Sequence, residues 1–214
     1  MKCVICANEC APLINPKTEE QFWHCPDCDT YVKESQYYLS PVEEKKVYLR
    51  HHNSFEQKDY VAYLEDFVER GVLPYSKPSR LLEYGCGATP VLSKILESKY
   101  HYQVTKYDKY FFPQTKYLTQ KFDVITSTEV IEHIEDPDAL FREWSTLLKP
   151  GGILAVMTLF HPKNHDSFFA WWYIRDLSHI RFFTKKTFEM LAEKYQLSIL
   201  YCDEKRIIVF QKAR

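Results

Sequence analysis

The sequence predicts an α/β protein in which a doubly wound, mostly parallel sheet follows a small cysteine-rich segment. From residue 80 onward, short apolar runs alternate with amphipathic helical patterns, which is typical of parallel strands joined by crossover helices. A loop with two glycines, at residues 83–89, joins one apolar run to a helical pattern. Two Cys-x-x-Cys pairs lie within the first 28 residues and mark a separate segment before the sheet.

Composition limits the classes of protein that fit. The 214 residues carry a formal net charge of -1, which gives no global attraction to nucleic acid. No apolar run reaches the ~20 residues that cross a bilayer, and Asn8 and Glu9 end the short apolar stretch after Lys2, so we expect neither a membrane segment nor a signal peptide. Seven cysteines, an odd number, favour a reducing, cytoplasmic location over a disulfide framework.

The paired cysteines Cys3, Cys6, Cys25 and Cys28 predict a structural zinc site in a zinc ribbon over residues 1–40. Each pair can place two thiolates on one turn, and the 18 residues between the pairs allow the turns to meet around one tetrahedral ion. The alternative is four unrelated buried or redox-active cysteines. Because four cysteine ligands leave no open position, we expect the metal to support folding rather than catalysis.

Cys10 and His24 are competing ligands near these pairs, although two regular pairs complete the site without them. Residues 1–40 hold three lysines and six acidic residues, a net charge of -3. This charge disfavours a phosphate-binding role. We therefore expect the ribbon to dock onto the rest of the protein or to shape a substrate mouth.

Residues 41–77 predict a helical lead-in made of two helices. Ser40 and Pro41 fit the N-cap and the first position of one helix. The second helix has apolar residues at helical spacing and ends at Gly71. Its apolar positions are Tyr60, Tyr63, Leu64, Phe67 and Val68.

The remaining chain, residues 78–214, predicts a Rossmann-like sheet. Strands are expected at 80–84, 102–107, 122–127, 153–157, 197–202 and 206–211, with helices after residue 90, at 137–148 and at 184–195. The segment from Asp108 to Phe122 is too short for an ordinary helix followed by a strand. Glu83, directly before the glycine loop, would repel phosphate, so a neutral or cationic nucleotide ligand fits better than a dinucleotide.

Four stretches occur in order along this domain: Glu83–Gly87, Asp108, residues 122–133 and Leu148–Gly152. Together they resemble the class I S-adenosylmethionine-dependent methyltransferases over roughly residues 78–212. The zinc-binding front end and residues 171–184 are similar to a bacterial group of methyltransferases, a resemblance that leaves the substrate open. A nicotinamide-dependent protein is the alternative, but the loop has Thr89 in place of a third glycine, and the Lys-Pro-Gly-Gly stretch has no role there.

The resemblance implies a set of cofactor contacts. Glu83 would face the sulfonium and amino end of S-adenosylmethionine, and Asp108 would accept two ribose hydroxyls rather than being a surface turn acid. The stretch Lys109-Tyr110-Phe111-Phe112 is expected to cover the adenine by stacking, because no acid after a third strand can be identified. The implied cofactor-binding residues are Glu83, Gly85, Gly87, Asp108, Ser127, Thr128 and Glu129.

A second divalent cation is a further candidate, at Glu129, Glu132 and His133. On a helix that begins after Thr128 these side chains would converge, and they suit Mg²⁺, Mn²⁺ or Zn²⁺. Their spacing is similar to that in small-RNA 3′-end 2′-O-methyltransferases and ubiquinone-pathway O-methyltransferases, in which such residues can hold a metal. His179 is the candidate fourth ligand. Alternatively, His133 and His179 pack and hydrogen-bond to fix the pocket, and either is a candidate catalytic base.

Residues 161–186 predict a substrate lid. Their five lysines and arginines outnumber their two aspartates and, with the aromatic residues, favour a planar or anionic acceptor. We therefore expect a methyltransferase that acts on a small molecule, since the chain is near neutral and its ribbon is acidic. The alternatives are an RNA methyltransferase and a catalytically inactive module whose ribbon recruits a partner. The sequence does not predict an oligomeric state.

Overall fold

The structure is a computed structural model that describes residues 1–50 and 53–214. A small antiparallel sheet comes first, formed by β1 (Ala11–Ile14), β2 (Gln21–Cys25) and β3 (Thr30–Lys33). β2 lies in the middle and pairs with both neighbours. One Cys-x-x-Cys turn precedes β1, and the other joins β2 to β3.

Two helices follow, as the sequence predicts. α1 (Pro41–Arg50) buries none of its side chains and lies on the surface of the body. α2 (Lys58–Gly71) instead buries Leu64, Phe67 and Val68 against the main sheet. The apolar stripe of α2 therefore has the role that its spacing predicts.

Seven strands follow the lead-in helices in the described chain, and six of them form the main sheet. They are β4 (Arg80–Tyr84), β5 (Gln103–Tyr107), β6 (Phe122–Thr128), β7 (Leu148–Met157), β8 (Arg181–Phe182), β9 (Leu197–Cys202) and β10 (Ile207–Lys212). The main sheet has the order β5-β4-β6-β7-β10-β9. β5, β4, β6 and β7 are mutually parallel, and β10 runs antiparallel to β7 and β9. The predicted mostly parallel, Rossmann-like sheet is confirmed.

Helices cover both faces of this sheet, so the domain is doubly wound. α2 and α3 (Val91–Ser98) pack on one face. α4 (Pro137–Leu147) and α6 (Lys185–Lys194) pack on the other, where they bury large aromatic side chains. α5 (His165–Ala170) packs against aromatic residues of the ribbon instead. The two main layers leave the loops at the carboxyl ends of the parallel strands free to form a site.

The connection between β5 and β6 contains no third strand. In residues 108–121, all of which are described, the regular structure is a 3-10 helix at Thr115–Thr119 and an isolated bridge between Asp108 and Phe112. This agrees with the expectation from the segment's length. β5 consequently forms the edge of the main sheet.

β7 begins earlier than the sequence predicts. A strand is expected only from Ile153, but β7 starts at Leu148 because residues 149–152 continue beside β6 through a register irregularity. Gly152 permits this close approach, since a Cβ there would lie 3.0 Å from the Lys149 carbonyl oxygen and 3.1 Å from that of Asp123. The Lys-Pro-Gly-Gly stretch is therefore a bulged strand start rather than a turn before the strand.

β8 belongs to the ribbon sheet, where it pairs antiparallel with β3. The Thr30 hydroxyl also donates to the Phe182 carbonyl at 3.0 Å. The ribbon is thus docked on the body, one of the two arrangements expected from its charge. Among the helices in residues 1–50 and 53–214, none combines the length and apolarity needed to cross a membrane.

Candidate cofactor and acceptor site

A cavity of about 420 Å³ opens at the carboxyl ends of β4, β5 and β6. We call its glycine-loop side the cofactor end, and the side formed by α1, α2 and residues 129–179 the acceptor end. Ser127 is buried and, within the described chain, does not line the cavity, because side chains alternate along β6. The predicted site residues that do line it are Glu83, Gly85, Gly87, Asp108, Thr128, Glu129, His133 and His179.

The glycine loop presents backbone, rather than side chains, to the cavity. Gly85 and Gly87 have φ angles of 85° and 67°, a left-handed conformation that glycine adopts without strain. The amides of Gly85 and Cys86 donate to the Tyr107 carbonyl at 2.7 and 3.0 Å, which ties the loop to β5. A Cβ on Gly87 would meet no described atom within 4 Å. The space beside Gly87 is therefore open to a ligand.

Asp108 holds the loops at the cofactor end together. Its Oδ2 accepts from the Gly87 amide at 3.0 Å, and its Oδ1 accepts from the amides of Tyr110 and Phe111 at 2.8 and 3.0 Å. An ionised carboxylate has about four acceptor positions. Three are occupied, so Asp108 retains room for about one ligand hydroxyl rather than the two that the resemblance implies.

Glu83 is a buried carboxyl at the floor of the cofactor end. It is 3% exposed and accepts a hydrogen bond from the Ser93 hydroxyl. Burial raises the pKa of Glu83 to about 7, and the Ser93 hydrogen bond opposes this shift. A cationic ligand group beside it would favour the ionised form.

Phe111 and Phe112, the predicted adenine neighbours, have different positions. Phe111 lines the cavity, and the Lys45 ammonium lies 5.8 Å from its ring centre. Phe112 pairs with the Asp108 backbone in both directions at 3.1 Å and, for the part of the chain described, is not on the cavity wall. Of the two phenylalanines, Phe111 is thus the one placed to contact a ligand base, and Lys109 and Tyr110 of the same stretch also line the cavity.

Helix α1 closes the cavity from outside. Its Glu44 accepts hydrogen bonds from Tyr48, at 2.6 Å, and from the Tyr110 hydroxyl. The Lys109 ammonium lies 3.2 Å from the same carboxylate. α1 is therefore fastened to the loop after β5 by polar contacts, in place of buried apolar side chains.

Two buried glutamates and two tyrosines form the inner part of the acceptor end. Glu129 accepts from the Tyr63 hydroxyl at 2.8 Å, and the Tyr173 hydroxyl contacts both Glu129 (2.9 Å) and Glu132 (2.5 Å). Burial raises the pKa of Glu129 to about 8 and also raises that of Glu132. Because the Tyr173 hydroxyl has one proton, it can serve both carboxyls only if one of them is protonated.

The two predicted histidines lie side by side, with ring centres 4.8 Å apart. His133 Nδ1 donates to the Ser178 carbonyl and His179 Nδ1 donates to the Tyr173 carbonyl, both at 2.9 Å. Since a carbonyl can only accept, the neutral rings carry their proton on Nδ1 and have a lone pair on Nε2. Burial lowers the pKa of both histidines, that of His179 to about 3.

Glu132, His133 and His179 bring one potential ligand atom each to within 4.8 Å of one another. The Glu132 Oε2 atom is buried and has no hydrogen-bond partner in the described chain. His179 Nε2 lies 3.9 Å from an Asp176 carboxylate oxygen. An orphaned carboxylate oxygen beside two imidazole lone pairs is a donor set that a divalent cation would satisfy.

The helix expected after Thr128 does not form, and this changes the candidate ligand set. Glu129 has a left-handed φ of 53°, and a 3-10 helix covers only Ile131–His133. Glu129 is consequently held by two tyrosine hydroxyls and lies outside the group of three. In the residues described, His179 takes the place that the sequence assigns to Glu129.

The four paired cysteines converge as predicted. The Sγ atoms of Cys3 and Cys28 are 3.5 Å apart, and those of Cys6 and Cys25 are 3.4 Å apart. Zn–S bonds of about 2.3 Å in a tetrahedron would separate the sulfurs by about 3.8 Å. Cys10 is buried nearby but, like His24, is outside the group of four in the described chain.

The two turns that carry these cysteines have matching backbones. The Ala7 amide donates to the Cys3 carbonyl at 2.9 Å, and the Asp29 amide donates to the Cys25 carbonyl at 2.8 Å. Ala7 and Asp29 both have left-handed φ angles, of 62° and 54°. This repeated geometry, together with the sulfur distances, fits one tetrahedral ion held by two equivalent turns.

The predicted lid differs from expectation in its charge. Its basic residues do not line the cavity in the described structure: Arg181 is buried elsewhere, and Lys185 pairs with Glu204. The lid contributes Trp172, Tyr173, Asp176 and His179 to the wall. The expectation of an anionic acceptor assumed that the basic residues of the lid face the acceptor, and this assumption is wrong for the described structure.

Several wall residues were assigned by sequence reasoning to the core or to no site. Tyr60 and Tyr63 were expected only as the apolar face of α2, but both line the cavity. Tyr48 of α1 also lines it, with its ring 5.2 Å from that of His133. The high tyrosine content, 16 residues, was the available signal.

Comparison with known proteins places this site in a family. A family model described as a methyltransferase domain matches residues 50–201. This match covers most of the chain and includes the whole glycine loop and, of the acceptor end, α2 and residues 129–179. The chain therefore belongs to the methyltransferase domain family.

Individual relatives match shorter segments of this methyltransferase domain. The ubiquinone biosynthesis O-methyltransferase of Histophilus somni (strain 2336) is 36% identical over 70 residues, which cover 33% of this chain and 27% of that enzyme. The chain thus matches about a quarter of the length of this curated relative.

Solved structures share the fold. An O-methyltransferase family protein from Burkholderia thailandensis has a TM-score of 0.55 at 12% identity, over 86% of this chain and 78% of the other. The Haemonchus contortus phosphoethanolamine N-methyltransferase 2 complex has a TM-score of 0.52 at 15% identity, over 72% and 53%. At these identities the likeness concerns the fold alone.

Proposed function

We propose that this methyltransferase domain transfers a methyl group from S-adenosylmethionine to a small-molecule acceptor. The observation that carries the proposal is a single cavity that joins an open glycine loop to buried acids and neutral histidines. The Haemonchus protein, which shares the fold, was solved with S-adenosylhomocysteine. Bound S-adenosylmethionine supplies an electrophilic methyl group on a sulfonium.

The chain's own residues would bind and orient the two reactants. Gly87 leaves space for the nucleoside, and Asp108 accepts a ribose hydroxyl. Glu83 faces the cationic end of the cofactor. If no cation occupies the Nε2 atoms, His133 or His179 would take the acceptor's proton through this nitrogen, and enclosure between α1 and the lid would hold the acceptor in line for transfer.

The charge of the acceptor end supports a neutral or cationic small molecule. Glu44 and Asp176 line it, whereas Lys109 is the one lysine or arginine among the lining residues described, and it pairs with Glu44. An RNA phosphate would be repelled by this wall and by the acidic ribbon.

Transfer of a labelled methyl group into a fractionated extract tests this proposal. We expect label in the metabolite fraction, and an Asp108→Ala variant should remove it. Label in RNA, with steep salt dependence of binding, would instead favour an RNA methyltransferase. Tight cofactor binding without any transfer would favour an inactive module that recruits a partner.

We also propose that Cys3, Cys6, Cys25 and Cys28 hold a structural zinc ion. Their sulfur distances and paired turns support it. The odd number of cysteines, four of them at the spacing of a zinc site, supports the proposal of a reducing, cytoplasmic location.

A second divalent cation at Glu132, His133 and His179 is proposed because Glu132 Oε2 is buried without a partner. It would orient an acceptor hydroxyl and lower its pKa. We expect Mg²⁺ or Mn²⁺ to stimulate transfer at least 10-fold, and Glu132→Ala to remove that response. Glu135→Ala, an exposed acid in the same loop, is the matched control and should keep it. Full activity after removal of all metal except the ribbon zinc would exclude the cation and leave the histidines to pack or to take the acceptor's proton.

Cofactor affinity should depend on pH through Glu83. The pKa of Glu83 is raised to about 7, so below this pH the carboxyl is mostly neutral and cannot attract a cation. Because a cationic ligand favours the ionised form, we expect affinity for S-adenosylmethionine to rise between about pH 6 and pH 7 and then level off. Calorimetry on wild type and Glu83→Gln would check this. The variant should bind more weakly, with a flat profile, and an unchanged slope would refute the assignment.

Phe111→Ala should weaken cofactor binding by about 10-fold or more, because a stacked base is worth about 1–3 kcal/mol. Phe112→Ala is the matched control, since its ring is off the cavity wall in the described residues. Equal affinities of the two variants, measured by calorimetry, would contradict adenine stacking on Phe111.

A further inference from the structure

Arg181 is a buried cation whose position connects the ribbon to the acceptor end. It lies on β8, opposite Val32 of the ribbon strand β3, and is 3% exposed. Its Nη2 donates to the Glu135 carbonyl at 2.7 Å, and its Nε donates to the Ile134 carbonyl at 3.4 Å. These carbonyls directly follow Glu132 and His133. The guanidinium therefore holds the loop that carries two of the candidate cation ligands.

One nitrogen of this guanidinium is not accounted for by hydrogen bonds. Arg181 Nη1 is buried and has no partner in residues 1–50 and 53–214. A buried cation is costly unless an opposite charge offsets it, and carbonyl oxygens alone supply none. Burial lowers the pKa of Arg181, while interaction with Tyr38, Cys3, Cys28 and Asp136 opposes that shift. The ribbon thiols are therefore among the groups that could supply this charge, beside the Asp136 carboxylate.

Zinc would turn these thiols into a strong negative charge. Four thiolates around one Zn²⁺ carry a net charge of about -2, and such a centre is stabilised by charges and donors in its surroundings. The ribbon itself is acidic. Lys186, which donates to the Pro26 carbonyl at 3.0 Å, is on the exposed side of the second turn. Arg181 on β8 is a buried cation beside the ribbon sheet, and Lys33 on β3 is a second one within the ribbon itself.

We propose that Arg181 is the charge partner of the tetrathiolate zinc centre, and that it fastens the acceptor end of the cavity to that centre. This inference rests on the zinc site proposed above. The three residues His179, Ile180 and Arg181 form the connection. His179 lines the cavity, the Ile180 amide donates to the Glu132 carbonyl at 2.9 Å, and Arg181 pairs with Val32 of the ribbon strand β3. The Lys33 amide donates to the Ile180 carbonyl at 2.8 Å and completes the connection from β3.

Zinc affinity, measured by competition with a chromophoric chelator, tests whether the positive charge of Arg181 stabilises the zinc centre. We expect Arg181→Met to weaken zinc binding by about 10-fold to 100-fold, the range found for outer partners of metal ligands. Arg181→Lys should restore most of that affinity because it restores the charge. Arg175→Met, an exposed arginine of the same lid, is the matched control and should bind zinc like wild type.

Folding of each variant is checked by its affinity for S-adenosylmethionine, which depends on the opposite end of the cavity. If Arg181→Met does not fold, Arg181→Gln and Arg181→Lys are compared for the rate of zinc release. The proposal requires faster release from the glutamine variant, and equal rates would overturn it. If Arg181→Met bound zinc as tightly as the wild-type protein, the role of Arg181 would be overturned, but the proposed zinc site would stand. If the wild-type protein contained no zinc, both the proposed zinc site and the role of Arg181 would be overturned.

Hydrogen exchange of the wild-type protein tests whether residues 179–181 connect the zinc centre to the acceptor end. We expect zinc removal to raise amide exchange over residues 172–183 and 130–135 while β4, at the cofactor end, remains protected. Exchange that rises equally in β4, or not at all in residues 172–183, would show that the centre does not act on the acceptor end and would overturn that part of the proposal.

Discussion

Gly85→Ala is expected to abolish detectable cofactor binding and to destabilise the protein. An added Cβ would lie 2.2 Å from the Cγ2 of Val130, and Gly85 has a φ of 85°. Overpacking and a left-handed alanine together should cost about 3 kcal/mol. Val130 lies between Glu129 and Ile131, so relief of the clash would also move the acceptor end. Chemical unfolding of the ligand-free protein and calorimetry with S-adenosylmethionine measure the two effects.

Gly87→Ala is the matched control for this substitution. Gly87 also has a left-handed φ, but its added Cβ would meet only open cavity among the described atoms. We expect a smaller loss of stability, about 1–2 kcal/mol, with a large loss of affinity because the methyl group would occupy ligand space. If Gly85→Ala were no less stable than Gly87→Ala, the packing of Val130 against the loop would be incorrectly described.

The parts of this fold that the sequence predicts are those encoded over short distances. The β4 strand, the glycine loop and α3 follow one another within about 20 residues, and each has its own local pattern. The same holds for α2 and for the two cysteine turns. Asp108 is predictable as a site residue because it ends a parallel strand, where side chains gather at one edge of the sheet.

The parts that local patterns could not predict depend on contacts between distant segments. β8 is two residues long and forms because β3, about 150 residues earlier, is beside it. The pairing of His179 with Glu132 and His133 likewise depends on where the lid returns to the sheet. Glu129 is excluded from that group by a single left-handed residue, which propensity does not predict.

The net charge of the lid segment, summed from its sequence, did not predict the charge of the cavity wall that would contact the acceptor. The lid is basic in sequence, but Arg181 is buried and donates to the Glu135 carbonyl, and Lys185 pairs with Glu204, while Asp176 lines the cavity. Composition gives the charge of a segment, whereas recognition depends on which side chains reach the wall. For the same reason, the tyrosines of α2 could be assigned to a helix face but not to a cavity.

Cys28→Ser is expected to remove zinc from the protein and to unfold the ribbon. Cys28 is fully buried, its Sγ is 3.5 Å from that of Cys3, and its carbonyl accepts from the Thr187 hydroxyl at 2.8 Å. Structural zinc contributes about 10–16 kcal/mol of apparent binding free energy in small zinc modules, which have little core of their own. Loss of the ion should therefore melt residues 1–40 and release β8 from β3. Zinc content and thermal unfolding measure the result.

Cys10→Ser is the control that makes this prediction specific. Cys10 is buried in the same ribbon, so the two variants make the same chemical change in similar surroundings. Its thiol lies outside the group of four in the described chain, and we expect Cys10→Ser to keep a full equivalent of zinc. Loss of zinc from Cys10→Ser but not from Cys28→Ser would mean that the ligand set differs from the two regular pairs. Because β8 connects the ribbon to His179, the Cys28 variant should also lose methyl transfer while retaining cofactor affinity, which separates a ribbon that supports the acceptor end from one that is merely attached to it.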